Sequence, residues 1–398
     1  MLEPSPILGR LVRRADALDG WLDLVGALDA DAPLGTVAVH GVAHALASGQ
    51  PVAALAIAAR ARLRGVDPAP LVEAIHAALA DVDEAAAPPP PPADDDDDDR
   101  SSAPASVASR LDALLAQAAP APRPTRLVPL LSELTLADLA ALAAVARVRP
   151  LDAGALLFAA GDHAEALFFV ALGRLEVGRG EGAPITLEPG AVVGELALLL
   201  GAARTRTVRA ASRATVLELP ASAIEGLAQR STALSRALAA LGRARIVKNL
   251  VEASPLFRGV EPAERRALLA QLTPSVFEDG RVILAEGAVP EALHVVAAGG
   301  ARVELRDADG DRRTVARLGV GEVFGEIGLL GEHPATATVC ADGKCVTFAL
   351  PRLAFREVLE ARPALRRELE ALAAARAAHN VAAREAAVEL GDDALLVT

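Results

Sequence analysis

Tyrosine is absent from this chain of 398 residues, and aromatics of all kinds make up only 2% of it. Ala, Leu and Val must therefore fill the cores, and no tyrosine is available to stack on a flat ligand. Sulfur is scarce too, with one Met and two Cys. Cys340 and Cys345 flank the turn-like Ala341-Asp342-Gly343-Lys344. C-x4-C alone is a poor metal signal, so two reduced thiols are expected, with a cross-strand disulfide as the alternative. No stretch reaches the roughly 18 uncharged apolar residues of a membrane span, and no charged-then-apolar leader opens the chain. A cytoplasmic location is expected. The seven histidines show no metal-ligand spacing, and neither Gly-x-Ser-x-Gly nor a phosphate-loop sequence occurs. No catalytic residue, metal or cofactor is expected. Positive charge is also short: 40 Lys and Arg stand against 52 Asp and Glu, a net charge of −12. That balance argues against duplex DNA or an anionic membrane as partner. A small anionic ligand needs only a local positive site and stays open.

What is present is globular. Hydrophobic residues reach 52% and charged residues 23%, enough to bury the cores of two or three domains. The clearest boundary lies at 86–106. Pro88 to Pro92 are followed by the acidic run Asp94 to Asp99 and a Ser/Ala/Pro stretch. Prolines hold an extended chain and like charges repel, so a stiff solvated spacer is expected. Residues 1–85 read as helices: a leucine-spaced run from Leu8 to Leu24 broken at 29–33, then 34–46, 51–63 and 71–79, with Pro51 and Pro68 at helix starts. Gly49, Ala54, Ala61 and Pro68 faintly resemble the small-residue pattern of a tetratricopeptide helix pair. A helical bundle used for docking an unknown protein partner, or for dimerisation, is the simpler expectation.

An internal repeat organises the remainder. Gly154, Gly161 and Gly173 recur 126 positions later as Gly280, Gly287 and Gly299. Gly194, Glu195 and Thr207 recur 131 later as Gly325, Glu326 and Thr338, and Pro220 recurs as Pro351. The change of five is local, because the second copy carries an extra hairpin tip at Asp307-Ala308-Asp309-Gly310-Asp311. Within each copy apolar and polar residues alternate, as at Arg174 to Val177 and Arg302 to Arg306. Period-two alternation between glycine turns predicts short antiparallel strands closing a barrel or roll. Helical segments are expected at 127–145, 221–252, 261–272 and 353–390.

The run from Gly194 through Glu195, Leu196 and Ala197 to Arg204, Thr205 and Thr207 resembles the phosphate-binding cassette of cyclic-nucleotide-binding domains, the β-roll family of catabolite activators and kinase regulatory subunits. Gly325, Glu326, Ile327, Ala335 and Thr336 form a second, similar run. The resemblance implies an α+β fold with two consecutive jelly-roll-like β-rolls and flanking helices after an all-α N-terminal domain. The expected boundaries are 1–85 for the helices, 86–106 for the spacer, 107–252 for the first roll, and 253–398 for the second roll with its C-terminal helix.

In the first cassette the chemistry is coherent. Gly194 lets the backbone approach a ligand, and Glu195 to Leu199 form one short helical turn. Glu195 can accept a hydrogen bond from a ribose hydroxyl, and Arg204 can offer two parallel N–H bonds to a cyclic phosphate. Thr205 and Thr207 bring hydroxyls nearby, and Leu196, Leu198 and Leu199 pack about the pocket. Glu195 as a helix-start acid, and Arg204 as a surface charge beside Arg206, remain the plain alternatives. In the family a hydroxyl directly after the Arg goes with acceptance of cyclic GMP, so both cyclic AMP and cyclic GMP stay open. Val193 and Ala203 stand where Phe and Pro are usual.

The second cassette departs at its most important atom. Nine positions after Glu326 stands Ala335, where the family has Arg. A phosphate there would be buried without a counter-charge, so little or no nucleotide binding is expected. His333 is two residues early and mostly neutral at pH 7.

The resemblance thus implies a non-enzymatic regulator that binds cyclic AMP or cyclic GMP in the first roll and relays this to a protein partner through helix rearrangement, the partner docking on 1–85 among other surfaces. Two alternatives stay open: a scaffold without nucleotide binding, and a kinase-inhibiting regulatory subunit, for which Arg13-Arg14-Ala15-Asp16-Ala17 superficially offers an inhibitory segment. A helix-turn-helix transcription factor is not expected, because residues 361–398 hold no glycine-containing turn between helices and no basic recognition helix.

Overall fold

A computed structural model describes residues 3–14, 16–29, 31–83, 106–178, 184–306 and 312–394. Of the spacer expected at 86–106 all but Ser106 lies outside the described residues, as does the hairpin tip Asp307–Asp311. The chain divides into two compact units, residues 1–199 with 203–241, and residues 200–202 with 242–398.

The first unit opens with five helices: α1 (Pro4–Arg13), α2 (Leu18–Ala27), α3 (Leu34–Ala47), α4 (Pro51–Leu63) and α5 (Ala69–Ala80). The run expected to be continuous from Leu8 to Leu24 breaks at 14–17, where the C-cap Arg14 leaves the helical region. Pro51 occupies the first turn of α4, where its missing N–H costs nothing. Ala53, Ala54, Ala56, Ala58 and Ala59 of α4 are all buried, so neighbours approach closely on every side. The carbonyls of Gly26 and Leu28 at the end of α2 are capped by the Arg64 guanidinium, at 2.6 and 2.5 Å. After α6 (Val107–Leu115) comes a 3-10 turn at Leu131–Glu133, and then α7 (Leu136–Val145). Leu24, Leu55 and Ile75 of the helices share one hydrophobic core with Leu142 of α7 and with Phe169 and Leu217 of the first roll. The N-terminal helices are therefore part of the compact body that holds the first cassette.

The first roll consists of β1 (Arg147–Leu151), β2 (Leu156–Phe158), β3 (Ala166–Leu172), β4 (Leu175–Val177), β5 (Ile185–Leu187), β6 (Val192–Val193), a short helix α8 (Glu195–Leu200), β7 (Val208–Ala210) and β8 (Ala214–Pro220). They form two antiparallel four-stranded sheets, ordered β1-β8-β3-β6 and β2-β7-β4-β5. Helix α9 (Ala221–Ala228) follows, and α10 (Thr232–Ala253) continues the chain. The expected single helix over 221–252 is thus divided at residues 229–231.

The second unit repeats this order. After a 3-10 turn at Pro255–Phe257 come α11 (Pro262–Gln271), β9 (Thr273–Phe277), β10 (Val282–Leu284), β11 (Ala292–Arg306), β12 (Arg312–Leu318), β13 (Val323–Phe324), α12 (Glu326–Gly331) and β14 (Thr338–Pro351). They make one six-stranded sheet, because β11 and β14 each run unbroken where the first roll has two strands. The register follows the sequence offsets. Phe168 faces Val193 across β3 and β6, and His294, 126 positions on, faces Phe324, 131 on, across β11 and β13. The turn-like Ala341–Lys344 is an irregularity inside β14, whose pairing with β11 shifts between Ala298 and Gly300. Cys340 and Cys345 lie on that strand as buried free thiols. The closing helix is two: α13 (Arg352–Ala361) and α14 (Pro363–Ala394). Arg362, preceding Pro363, is driven out of the helical region to φ −133° and ψ 76°.

The glycine repeat has a steric cause. A Cβ on Gly173 would collide with the carbonyl of Arg213, and one on Gly299 with that of Lys344, so the two rolls share one close backbone approach. Among the described residues no helix is long and apolar enough to cross a membrane.

Candidate phosphate-binding cassettes

In the first roll the cassette sits between β6 and β7. Gly194 has φ 88°, which an L side chain rarely adopts, and a Cβ there would strike the Arg204 guanidinium. The chain turns at this point into α8, whose first residue Glu195 is 4% exposed. Ala197 is buried as well, whereas Leu196, Leu198 and Leu199 are half-buried.

Arg204 is only 5% exposed and points inward, so it is no surface charge. Its Nη1 donates to the Gly194 carbonyl at 2.7 Å and its Nη2 to the Ala166 carbonyl at 2.6 Å. The guanidinium lies over the Phe158 ring, 4.4 Å from the centroid, with Phe168 at 5.8 Å. Its Nε is buried without a hydrogen-bond partner. Burial lowers the pKa of Arg204, while Glu195, Asp162 and Glu165 pull it back up. The group remains a cation. It is a desolvated charge beside the cassette glycine with a donor to spare, which fits an anion with lone pairs to offer.

The remaining first-site residues divide. The Thr207 hydroxyl accepts from the Ala160 backbone N–H at 3.1 Å, pinning the Gly161 turn to β7. Thr205 is exposed and Arg206 half-buried. Glu195 and Arg204 are thus gathered at Gly194, while Thr207 serves the frame.

The second cassette keeps the frame and changes the contents. Gly325 has the same φ of 88°, and Glu326 is 1% exposed at the start of α12. The backbone about Ala335 reproduces that about Arg204. The Gly161 N–H donates to the Arg204 carbonyl at 2.8 Å, and the Gly287 N–H to that of Ala335 at 2.9 Å. Arg204 N–H donates to the Asp162 carbonyl, and Ala335 N–H to that of Ala288, both at 2.8 Å. The arginine is therefore dispensable for the fold. His333 supplies no replacement charge, since it is exposed with its Nδ1 at the Pro334 carbonyl. Gly325, Glu326, Ile327, Ala335 and Thr336 all line a cavity of about 80 Å³, bounded also by α14.

Sequence reasoning missed two groups. Phe158 and Phe168, which flank the Arg204 cation, were legible only as strand residues. Arg376 and Asn380 of α14 line the second cavity, and their spacing of four on one helix face was the available signal. Among the described residues no cluster of His, Cys, Asp or Glu could hold a metal ion.

The family profile "Cyclic nucleotide-binding domain" matches residues 148–231 and 274–362. A cAMP-dependent protein kinase regulatory subunit from Blastocladiella emersonii is 29% identical over 212 residues, covering 52% of this chain and 51% of the relative. The cyclic AMP receptor protein of Thermus thermophilus is 34% identical over 140 residues, 35% of this chain and 62% of the relative. The chain spans about half the length of the curated kinase-subunit relatives it matches. The cAMP-bound regulatory domain of Toxoplasma gondii PKA aligns over 63% of this chain and 92% of its own at 24% identity, with a TM-score of 0.29. The two profile matches fall on the two rolls of matching register, so the chain carries two cyclic-nucleotide-binding domains in tandem.

Proposed function

We propose that this chain is a non-catalytic regulator whose first roll binds a cyclic mononucleotide, cyclic AMP or cyclic GMP, and whose second roll does not. One observation carries this reading: Arg204, buried against the cassette glycine, holds an Nε donor without an acceptor. A cyclic phosphate would supply acceptors there, and Glu195 would take the ribose hydroxyl. The names of the relatives, cAMP receptor protein and cAMP-dependent kinase regulatory subunit, make cyclic AMP the first ligand to try.

Binding becomes regulation through the helices that follow β8. Ligand in the first roll would shift α9 and α10, and a protein partner, docked on residues 1–85 or elsewhere, would read the change. The shift can be no larger than the ligand's preference for one arrangement. The kinase-subunit relatives favour a second reading, inhibition of a kinase catalytic subunit. Its candidate segment ends α1, where Arg14 pairs with Asp16 at 3.5 Å. Inhibition of phosphotransfer by the purified chain would establish it. The test of the main reading is calorimetric titration of the full chain with cyclic AMP and cyclic GMP. Saturable binding at one site per chain is expected; two sites, or none, refutes it.

A further inference from the structure

The second cassette retains Glu326 and Thr336 but offers them to no nucleotide in the reading above. Both are taken up from within the chain by one face of α14. Arg376 Nη1 donates to Glu326 Oε1 at 3.0 Å and to the Val323 carbonyl at 2.5 Å, and its Nη2 donates to Glu322 Oε1 at 3.1 Å. Asn380 Nδ2 donates to the Thr336 hydroxyl at 3.1 Å. Arg384 Nη2 donates to the Thr336 carbonyl at 2.6 Å and to Glu286 Oε1 at 2.5 Å. The three residues are spaced by four, so a single helical face carries them all. Asn380 is 6% exposed, and a buried amide at such a contact is paired at both ends or costly.

The charges and the space under this face agree. Two guanidinium groups, Arg376 and Arg384, meet three carboxylates, Glu286, Glu322 and Glu326, so no net positive charge remains for an anion. The cavity beneath is about 80 Å³ and is walled by Leu284, Val303, Leu318 and Val339. A water needs about 10–15 Å³ on this measure, so it has room for roughly five to eight waters. Pockets for nucleotide-sized ligands run to about 300–1,000 Å³.

We infer that the second roll is held shut by its own C-terminal helix, Arg376, Asn380 and Arg384 acting as an internal ligand for the cassette, so that α14 stays docked whether or not nucleotide is present. In such a chain only the first roll responds, and the second is a fixed platform. The inference rests on the reading of the second roll as free of nucleotide, and the experiment separates the two.

Hydrogen–deuterium exchange on the full chain without nucleotide tests the lock. Amides of 366–384 are expected to be protected in the wild type, and Arg376→Ala is expected to raise their exchange tenfold or more. Glu326→Gln, which keeps the side-chain shape, is expected to raise it by a smaller factor and covers the case in which Arg376→Ala fails to fold. Arg366→Ala, which removes an exposed pair with Glu370, is expected to leave it unchanged. Unprotected amides in the wild type, or protection that neither Arg376→Ala nor Glu326→Gln alters, overturns the lock. In the Arg204→Ala background, cyclic AMP is expected to leave 366–384 unchanged. A response there overturns the nucleotide-free reading of the second roll instead.

Discussion

Replacing Arg204 by alanine separates binding from folding more cleanly than a buried charge normally allows, because the second roll has already made the same replacement. Ala335 stands at the equivalent position, and its backbone keeps the two hydrogen bonds seen at Arg204. The cassette turn should survive in Arg204→Ala. What disappears is the cation, its stack on Phe158 at 4.4 Å and its contacts to two carbonyls. A stack of this kind is worth about 0.5–2 kcal/mol. Relief from burying a charge offsets part of the loss, so about 1–2 kcal/mol of destabilisation is expected. Removing a charge-assisted contact to phosphate costs about 1.5–3 kcal/mol, which weakens nucleotide affinity by roughly 10- to 150-fold. Arg204→Lys keeps a point charge but loses the planar fork and the stack, so its affinity should fall between wild type and alanine. Titration calorimetry gives the affinities, and urea denaturation gives the stabilities. An Arg204→Ala chain that is folded and binds cyclic AMP within about twofold of wild type refutes the assignment of the site.

Further outcomes follow from buried groups elsewhere. His294 stacks on Phe324 at 4.9 Å between centroids, and burial lowers its pKa. Its stabilising contribution is therefore full above the unfolded value near 6.5 and is lost as pH falls through the lowered folded pKa, by up to about 1.4 kcal/mol per pH unit. His294→Phe, the residue that Phe168 supplies in the first roll, should flatten the pH dependence of urea unfolding between pH 7.5 and 5. His44, lowered by burial and by His40, would leave a residual slope, and an unaltered slope in the variant counts against the assignment. Burial raises the Cys340 thiol and pushes Cys345 up to about 11. Both should resist a thiol-reactive dye at pH 8 in the folded chain and react after denaturation; rapid labelling of the native protein contradicts this.

The duplication was legible in the sequence because glycine positions are set by backbone sterics. Gly173 and Gly299 each face a carbonyl that forbids a side chain, so the 126-residue spacing carried the fold on its own. That Glu195 and Arg204 gather at Gly194 was legible too, since both lie in one local segment that folds about that glycine. The loss of charge at Ala335 needed only counting. Elsewhere the chain order concealed what matters. Whether Arg204 faced water or the interior depended on Phe158 and on the Ala166 carbonyl, 46 and 38 positions away in the chain. The helix break at 229–231 is decided within a turn, against a run of strong helix formers, whereas the one at Arg362 was written in the adjacent Pro363. The partners of Glu326 and Thr336 lie 44 to 50 residues downstream on α14, in a stretch that reads as an ordinary alanine-rich helix. Local sterics and spacing are written in neighbouring residues. The partner of a buried charge is decided only when distant elements pack, and it is there that the two rolls, alike in backbone, part in chemistry.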